Sequence, residues 1–432
     1  MIENLKELIS YKSVYDTDEL PFGSENIKVL KKALEIGESY GFKTKNLDNY
    51  CGYMEIGEGE EIIGIVGHLD VVPAGEGWNT DPYTLTKKDG KLYGRGTSDD
   101  KGAVAASIEA MKQIKESGIK LNKRIRLIVG CNEESGSKCM EYYNAHEEGI
   151  TYGFTPDADF PCIHGEKGMM YGKFISKSDN IKNIYGGTVS NAVCQKCTIE
   201  LDEFNFDFDI FKNNLEENGL KYFVNGNAIT VEGVAAHAST PEKGKNAISY
   251  MMYALNEAGF EDNFVKYYNE MFGLFYDGYK FGINVEDKYG ALTFNIGVIS
   301  MKDGNIEGTI DIRFPVTMKS RDILELCKEK MEKENGKVIF EEIEEPLFYE
   351  IDSPLVETLY DAYVEVTDDN SLKPLVIGGG TYAKSIKNVI AFGCEFPGSD
   401  NHIHDANEFV YEEELYKQVK LYKCAILKFL EL

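Results

Sequence analysis

The first third of the chain alternates between helical and strand-like hydrophobic patterns. Residues 24–40 (SENIKVLKKALEIGESY) read as a helix and 62–66 (IIGIV) as a buried strand. Residues 101–117 (KGAVAASIEAMKQIKES) read as a second helix and 125–129 (IRLIV) as a second strand. Buried strands alternating with helices predict an α/β domain with a mainly parallel sheet and helices on both faces. Near residue 170 the pattern changes. Short alternating strands follow (MYGKFIS, CQKCTIEL, NAITVEGVAA), then an aromatic-rich helical part over 245–281, further strands (ALTFNIGVISM, NIEGTIDIRFP) and a helix near 318–334. From about 350 the helix, glycine loop, strand and helix order returns, ending in EELYKQVKLYKCAILKFLEL. The expected organisation is therefore an α/β domain made of residues 1–168 and 351–432, interrupted by an α+β domain at 169–350.

Composition narrows the function classes. The 432 residues are 43% apolar, enough for a sizeable core. A net charge of −27 argues against nucleic acid, because nothing in the chain would neutralise a run of phosphates. The N-terminal MIENLKELISYKSV is charged and amphipathic and reads as a surface helix, not a signal peptide. No apolar run approaches membrane-spanning length. Nine scattered cysteines suit a reducing cytoplasm better than a disulfide framework, so a cytoplasmic location is expected. Cys194-Gln-Lys-Cys197 is a lone CxxC in a strand-like run, read as structural thiols, with a metal or redox site as the alternative.

Five segments place hard ligands beside strand ends or turns: His68-x-Asp70; Asp99-Asp100 in YGRGTSDDKG; Glu133-Glu134 in CNEESG; Asp157, with Asp159, in TPDADFP; and His402 and His404 in SDNHIHDANE. Singly, each is as well explained by a surface histidine or a solvated acidic face. Together, in a chain with only six histidines, they point to a metal site. Imidazole nitrogens and carboxylate oxygens suit zinc, and carboxylates bridge two metals. His68 and Asp70, two apart, lie on one side of an extended chain, where the carboxylate can orient the imidazole. Adjacent glutamates permit a split in which one binds metal and the other takes a proton. Ser98 and Ser135 sit in glycine-rich turns without a nucleophile elbow.

HLDVVPAG, YGRGTSDDKG, CNEESG, TPDADFP, AAHASTPEKGKNA, GGGTYAK and HDANE stand in the order seen in the di-zinc aminoacylase and carboxypeptidase metallopeptidases. The chain resembles that family over nearly its whole length, and its PepV-type dipeptidase branch in particular. The resemblance implies two Zn²⁺ per chain, with Mn²⁺ or Co²⁺ as alternatives. His68, Asp99 and Asp157 would hold one, and Asp99, Glu134 and His404 the other. The family's motif patterns imply Asp99 rather than Asp100 and His404 rather than His402, and the resemblance implies Asp157, the first of its pair, rather than Asp159. Glu133 corresponds to the general base, and Asp70 to the support of His68.

The same resemblance makes 169–350 a lid over a catalytic domain. His237 corresponds to a histidine that stabilises the oxyanion, and Asn191 and Arg313 to residues that contact substrate. Gly379, Gly380 and Thr381 match a loop that meets the substrate carboxylate. An arginine fork and exposed backbone N–H groups suit a carboxylate. From the residues alone, Arg313 reads equally as a strand-face ion pair, the glycine run as a helix-entry turn, and His237 as surface. An enlarged lid implies a site completed within one chain, hence a monomer acting on short peptides, without nucleic-acid or membrane partners. The expected activity is hydrolysis of short unblocked peptides, dipeptides above all. Alternatives are a deacylase of N-acyl amino acids or succinyl-diaminopimelate, a tripeptidase or aminopeptidase, and a binding module that has lost catalysis.

Overall fold

The computed structural model describes residues 1–432. The chain forms two compact units, Met1–Gly165 with Tyr349–Leu432, and Glu166–Phe348. No helix is long and apolar enough to cross a membrane.

The first unit is built on a mixed sheet. Its centre is four parallel strands in the order Arg124–Gly130, Ile62–His68, Tyr152–Thr155 and Val389–Ala391. Cys51–Ile56 and Lys43–Leu47 extend one side antiparallel. Every residue of Ile62–His68 is buried, which is why it reads as a continuous apolar run: a central parallel strand is covered on both faces. Helix Lys101–Glu116 packs on the two central strands, and Glu412–Glu431 packs on that helix. The latter buries Leu415, Val419, Tyr422, Ile426 and Phe429, a stripe at helical spacing. The helices and strands expected at 24–40, 62–66, 101–117 and 125–129 are found as Ser24–Ser39, Ile62–His68, Lys101–Glu116 and Arg124–Gly130.

Parallel strands end at one edge of their sheet, where ligand sites of such folds lie. His68 is paired with Gly130, and Ile65 with Phe154, so the loops after these three strands leave from a common edge. Those loops carry Asp70, Glu133 with Glu134, and Asp157.

The second unit is an antiparallel sheet with helices packed on it. Asn305–Phe314 pairs with Gly168–Lys177 over ten residues; both alternate buried with less buried positions at one end, whereas residues 310–314 and 168–170 are buried throughout. The aromatic-rich region becomes helices Ala247–Glu257 and Asn263–Met271; Phe264 and Tyr268 of the second, with Phe272 just after it, surround Phe174 of the sheet. The helix expected over 318–334 is shorter. It spans Ser320–Cys327, one 3₁₀ turn follows, and Glu332–Lys333 then pairs with Gly336–Lys337. Glu334 and Asn335 close a tight two-residue hairpin there, which ends the helical period.

Candidate metal centre

His68 ends its strand with the ring fully buried. Its Nε2 lies 2.8 Å from Asp99 Oδ1 and 3.8 Å from Asp157 Oδ2. His404 addresses the other oxygen of the same carboxylate, its Nε2 3.0 Å from Asp99 Oδ2. The His404 Nε2 also lies 3.1 Å from Glu134 Oε2. Asp99 thus offers one oxygen to each imidazole, as a carboxylate shared between two cations must. Ligand atoms of His68, Glu133 and Asp157 lie within 4.8 Å of one another, and so do those of His68, Asp99 and Glu134. The structure brings together all five ligand candidates and Glu133.

Four carboxylates converge on two imidazoles, and the electrostatics reflect the excess charge. Burial, then the Asp157 charge, pushes the Glu133 carboxyl well above the usual range. Burial and Asp99 raise Glu134, and the same two causes push Asp157 up to about 7. Asp99 goes the other way: although burial acts to raise it, His404 and His68 hold it below the ordinary carboxylate range. A buried site that strains to keep its carboxylates ionised, with imidazole nitrogens turned inward, is a donor set that a divalent cation relieves. The residues present fit a pair of such ions.

Asp70 differs in detail from expectation. The His68 Nδ1 meets the Asp70 backbone carbonyl at 2.9 Å, while the Asp70 carboxylate stands 3.5 Å away. That carboxylate instead accepts the backbone N–H of Glu133 on Oδ1 and of Glu134 on Oδ2, each at 3.0 Å. The chain turns after His68, which brings the carbonyl to the ring and sends the side chain across to the loop after Gly130. Asp70 therefore fixes both the imidazole and the glutamate pair. Asp100 turns back and accepts the His68 N–H at 3.0 Å on Oδ2. A Cβ on Gly67 would lie 2.7 Å from that oxygen, so the close approach requires glycine there. Asp159 is exposed and its backbone forms a parallel β-bridge with Glu395, and His402 is exposed with its ring 5.8 Å from Phe409.

Three supporting residues were not singled out from sequence. Glu408, fully buried, accepts Arg95 Nη1 at 2.7 Å and the backbone N–H groups of Gly96, Ser98 and Asp99 at 2.9, 2.9 and 3.2 Å. It stands in the HDANE motif, four residues after His404, and that position was its only signal. Arg95 also donates to the carbonyls of Pro73 and Ala74, so it ties the loop after Asp70 to the same carboxylate. Tyr382, the residue after GGGT, sets its ring edge-on to His68 with centroids 6.2 Å apart. Its hydroxyl lies 2.9 Å from Cys139 Sγ, and a side chain at Gly130 would collide with it.

Gly379 and Gly380 precede a one-turn 3₁₀ helix, Tyr382–Lys384, which Thr381 caps by accepting the Ala383 N–H at 3.1 Å. Asn191, His237 and Arg313 belong to the second unit. There Ala192 and His237 bridge antiparallel, which makes Asn191 and His237 neighbours. The His237 Nδ1 accepts the Ser239 backbone N–H at 3.2 Å and lies 2.7 Å from the Ser239 hydroxyl. A nitrogen that accepts an N–H carries no proton, so in the neutral ring the proton is on Nε2. Arg313 is buried, and Asp311 grips its Nε and Nη2 at 2.7 and 2.9 Å. Cys194 and Cys197 are buried free thiols, and all nine cysteines are unpaired.

The model of peptidase family M20/M25/M40 matches residues 64–428. The chain belongs to that family. It is 35% identical over 449 residues to "Putative dipeptidase YtjP" of Bacillus subtilis, across 99% of this chain and 96% of that protein. Among solved structures it resembles human carnosine dipeptidase 1, with a TM-score of 0.60 at 18% identity over 100% of this chain and 96% of that one. It likewise resembles aminopeptidase PepT from Bacillus cereus, with a TM-score of 0.61 at 17% identity over 99% and 97%. At such identities the structural matches speak for the fold, and they place this M20 chain in a two-domain α/β architecture.

Proposed function

We propose that this M20 peptidase is a metal-dependent dipeptidase that hydrolyses the peptide bond of short unblocked peptides. The observation that carries the reading is the shared Asp99 carboxylate between His68 and His404, with Glu133 beside it. The dipeptidase naming of its relative supports the substrate class. His68, Asp99 and Asp157 would hold one divalent cation and Asp99, Glu134 and His404 the other, zinc or in its place manganese or cobalt. When bound, the pair supplies a water of lowered pKa and polarises the substrate carbonyl.

The chain's own groups do the rest. Glu133 takes the proton of the attacking water on its carboxylate and passes it to the leaving amine. Asp70 holds the Glu133 and Glu134 N–H groups, which keeps base and ligand in register. His237, with its proton on Nε2, donates to the oxyanion of the tetrahedral intermediate. Arg313, its plane fixed by Asp311, and Asn191 are the second unit's groups for the substrate's terminal carboxylate, and the Gly379, Gly380 and Thr381 loop is the first unit's.

The test is a panel of three compounds: a free dipeptide, the same dipeptide N-acylated, and a tripeptide. Each is assayed with protein stripped by a chelator and reloaded with Zn²⁺ or Mn²⁺. Metal-restored cleavage of the free dipeptide is expected, and Glu133→Gln should abolish it. Cleavage of the acylated compound alone would replace this reading with a deacylase. A fully active Glu133→Gln would remove the general-base assignment, and no cleavage of any compound would favour a binding module.

A further inference from the structure

Within the second unit, the segments around Asn191 and His237 run antiparallel outside regular strands. The Asn191 carbonyl accepts the Ala238 N–H at 2.9 Å, and the Ala236 carbonyl accepts the Val193 N–H at 2.8 Å. This two-segment ribbon carries two of the residues that the functional reading assigns to the substrate, Asn191 and His237. One side chain grips it. Asn295, only 3% exposed, donates through Nδ2 to the carbonyls of Ser190 at 3.1 Å and Ala192 at 3.0 Å, one on each side of Asn191.

Asn295 is itself held from two directions. Its Oδ1 lies 3.4 Å from Asn246 Nδ2, which also donates to the Ile296 carbonyl at 2.7 Å. Asn246 in turn caps the helix Ala247–Glu257 through its Oδ1. Asn295 also ends the strand Thr293–Asn295, which pairs antiparallel with Asn305–Phe314. In that register Asn295 faces Asp311, and Thr293 faces Arg313. Asp311 is the carboxylate that fixes the Arg313 fork. A single carboxamide thus joins the Asn191–His237 ribbon to the strand that carries Arg313.

We propose that Asn295 is a positioning residue for the reaction, setting Asn191 and His237 in register with Arg313. The inference rests on the dipeptidase reading and adds a residue to it. The chemistry is specific to an amide. Two donors on one nitrogen match two carbonyl oxygens, and the amide oxygen accepts from Asn246. Aspartate has almost the same shape but turns acceptors toward two acceptors. Serine keeps one donor, and alanine keeps none. Gly297, two residues on, lets the ribbon lie close: a Cβ there would stand 2.5 Å from the Val189 carbonyl oxygen.

The experiment compares Asn295→Asp, Asn295→Ser and Asn295→Ala in the metal-reloaded protein, with and without the pair Asn191→Ala/His237→Ala. Metal content, melting temperature, kcat and KM for a free dipeptide are measured for each. Metal content should match wild type, since the ligand candidates lie in the other unit. Asn295→Asp should lower kcat/KM at least tenfold, with most of the loss in kcat, and Asn295→Ser should lower it less. In the Asn191→Ala/His237→Ala background the Asn295→Asp loss should shrink to less than threefold, because the residues through which it acts are gone. Wild-type kcat/KM in Asn295→Asp overturns the inference. So does an equal loss in both backgrounds, or a loss that follows only the folded fraction. A wild-type protein that cleaves no dipeptide overturns the functional reading and this inference together. A cleaving wild type with an unaffected Asn295→Asp overturns this inference alone.

Discussion

The Glu408 carboxylate holds the turn that carries Asp99, though the two residues are 309 positions apart. It accepts the Asp99 N–H and two more N–H groups of the same turn, and it pairs with Arg95 at 2.7 Å with both side chains buried. Glu408 sits on the segment that also presents His404, so one carboxylate sets the spacing between two ligand candidates. Glu408→Gln keeps the shape but removes the charge from a buried pair, leaving Arg95 uncompensated. The expected result is a 10- to 100-fold loss of metal affinity, in the range for groups that orient ligands. Calorimetric titration of the stripped protein with Zn²⁺ would read it; unchanged affinity would show the clamp to be dispensable.

Asp70 offers a sharper substitution. Its two carboxylate oxygens each accept one backbone N–H, from Glu133 and Glu134. Asp70→Asn retains one acceptor and turns an NH₂ group toward the second N–H. We expect kcat to fall by roughly 10- to 100-fold and metal affinity to weaken with it, as for other groups that support ligands. Steady-state kinetics across a metal titration would separate the two, and wild-type values in both would remove Asp70 from the machinery.

Tyr382 bears on His68 through its ring and on Cys139 through its hydroxyl. Tyr382→Phe keeps the ring and loses the hydrogen bond, so a change of about 1 kcal/mol in stability and less than tenfold in kcat is expected. Tyr382→Ala opens a cavity beneath His68 and should cost about 3–5 kcal/mol. Urea unfolding of the two variants distinguishes packing from hydrogen bonding; equal losses would contradict the assignment.

Lys101 is fully buried, and burial pushes its amine down to about 7, against the partial support of Glu408 and Asp70. Its Nζ donates to the Tyr11 carbonyl at 2.9 Å. Between pH 7 and 10.5 the unfolded chain binds the proton that the folded chain has released. Stability therefore rises with pH across that window, by up to roughly 5 kcal/mol at 1.36 kcal/mol per pH unit. The burial cost is fully present below pH 7 and fades as pH approaches 10.5. Lys101→Met should flatten this slope in metal-stripped protein. Chemical denaturation at several pH values is the check, and a slope unchanged by the substitution would refute it.

Much of the fold was legible because its central strands are buried on both faces and so read as unbroken apolar runs, as in Ile62–His68. Helices showed by their spacing, and the helix at Ser320–Cys327 is shorter than its period suggests because a tight hairpin at Glu334 and Asn335 follows it. The metal-ligand candidates were legible for a related reason: polar residues that can bind metal stand where apolar runs stop. The supporting residues were not. Glu408, Tyr382 and Asn295 look like any acidic, aromatic or amide residue, and their partners lie far away along the chain.

By itself, then, the sequence determined which strands are central, where they end and which ligand-bearing residues follow them. Hydrophobic period and residue type are local properties, carried by each segment before it folds. Only the tertiary structure decided that Asp100 supports the His68 backbone N–H, and that the Asp70 carboxylate serves the glutamate loop more than the His68 ring. Those choices depend on loops that leave one sheet edge and meet across tens to hundreds of residues. Hydrogen-bond geometry at that distance is set by packing, which no local pattern encodes.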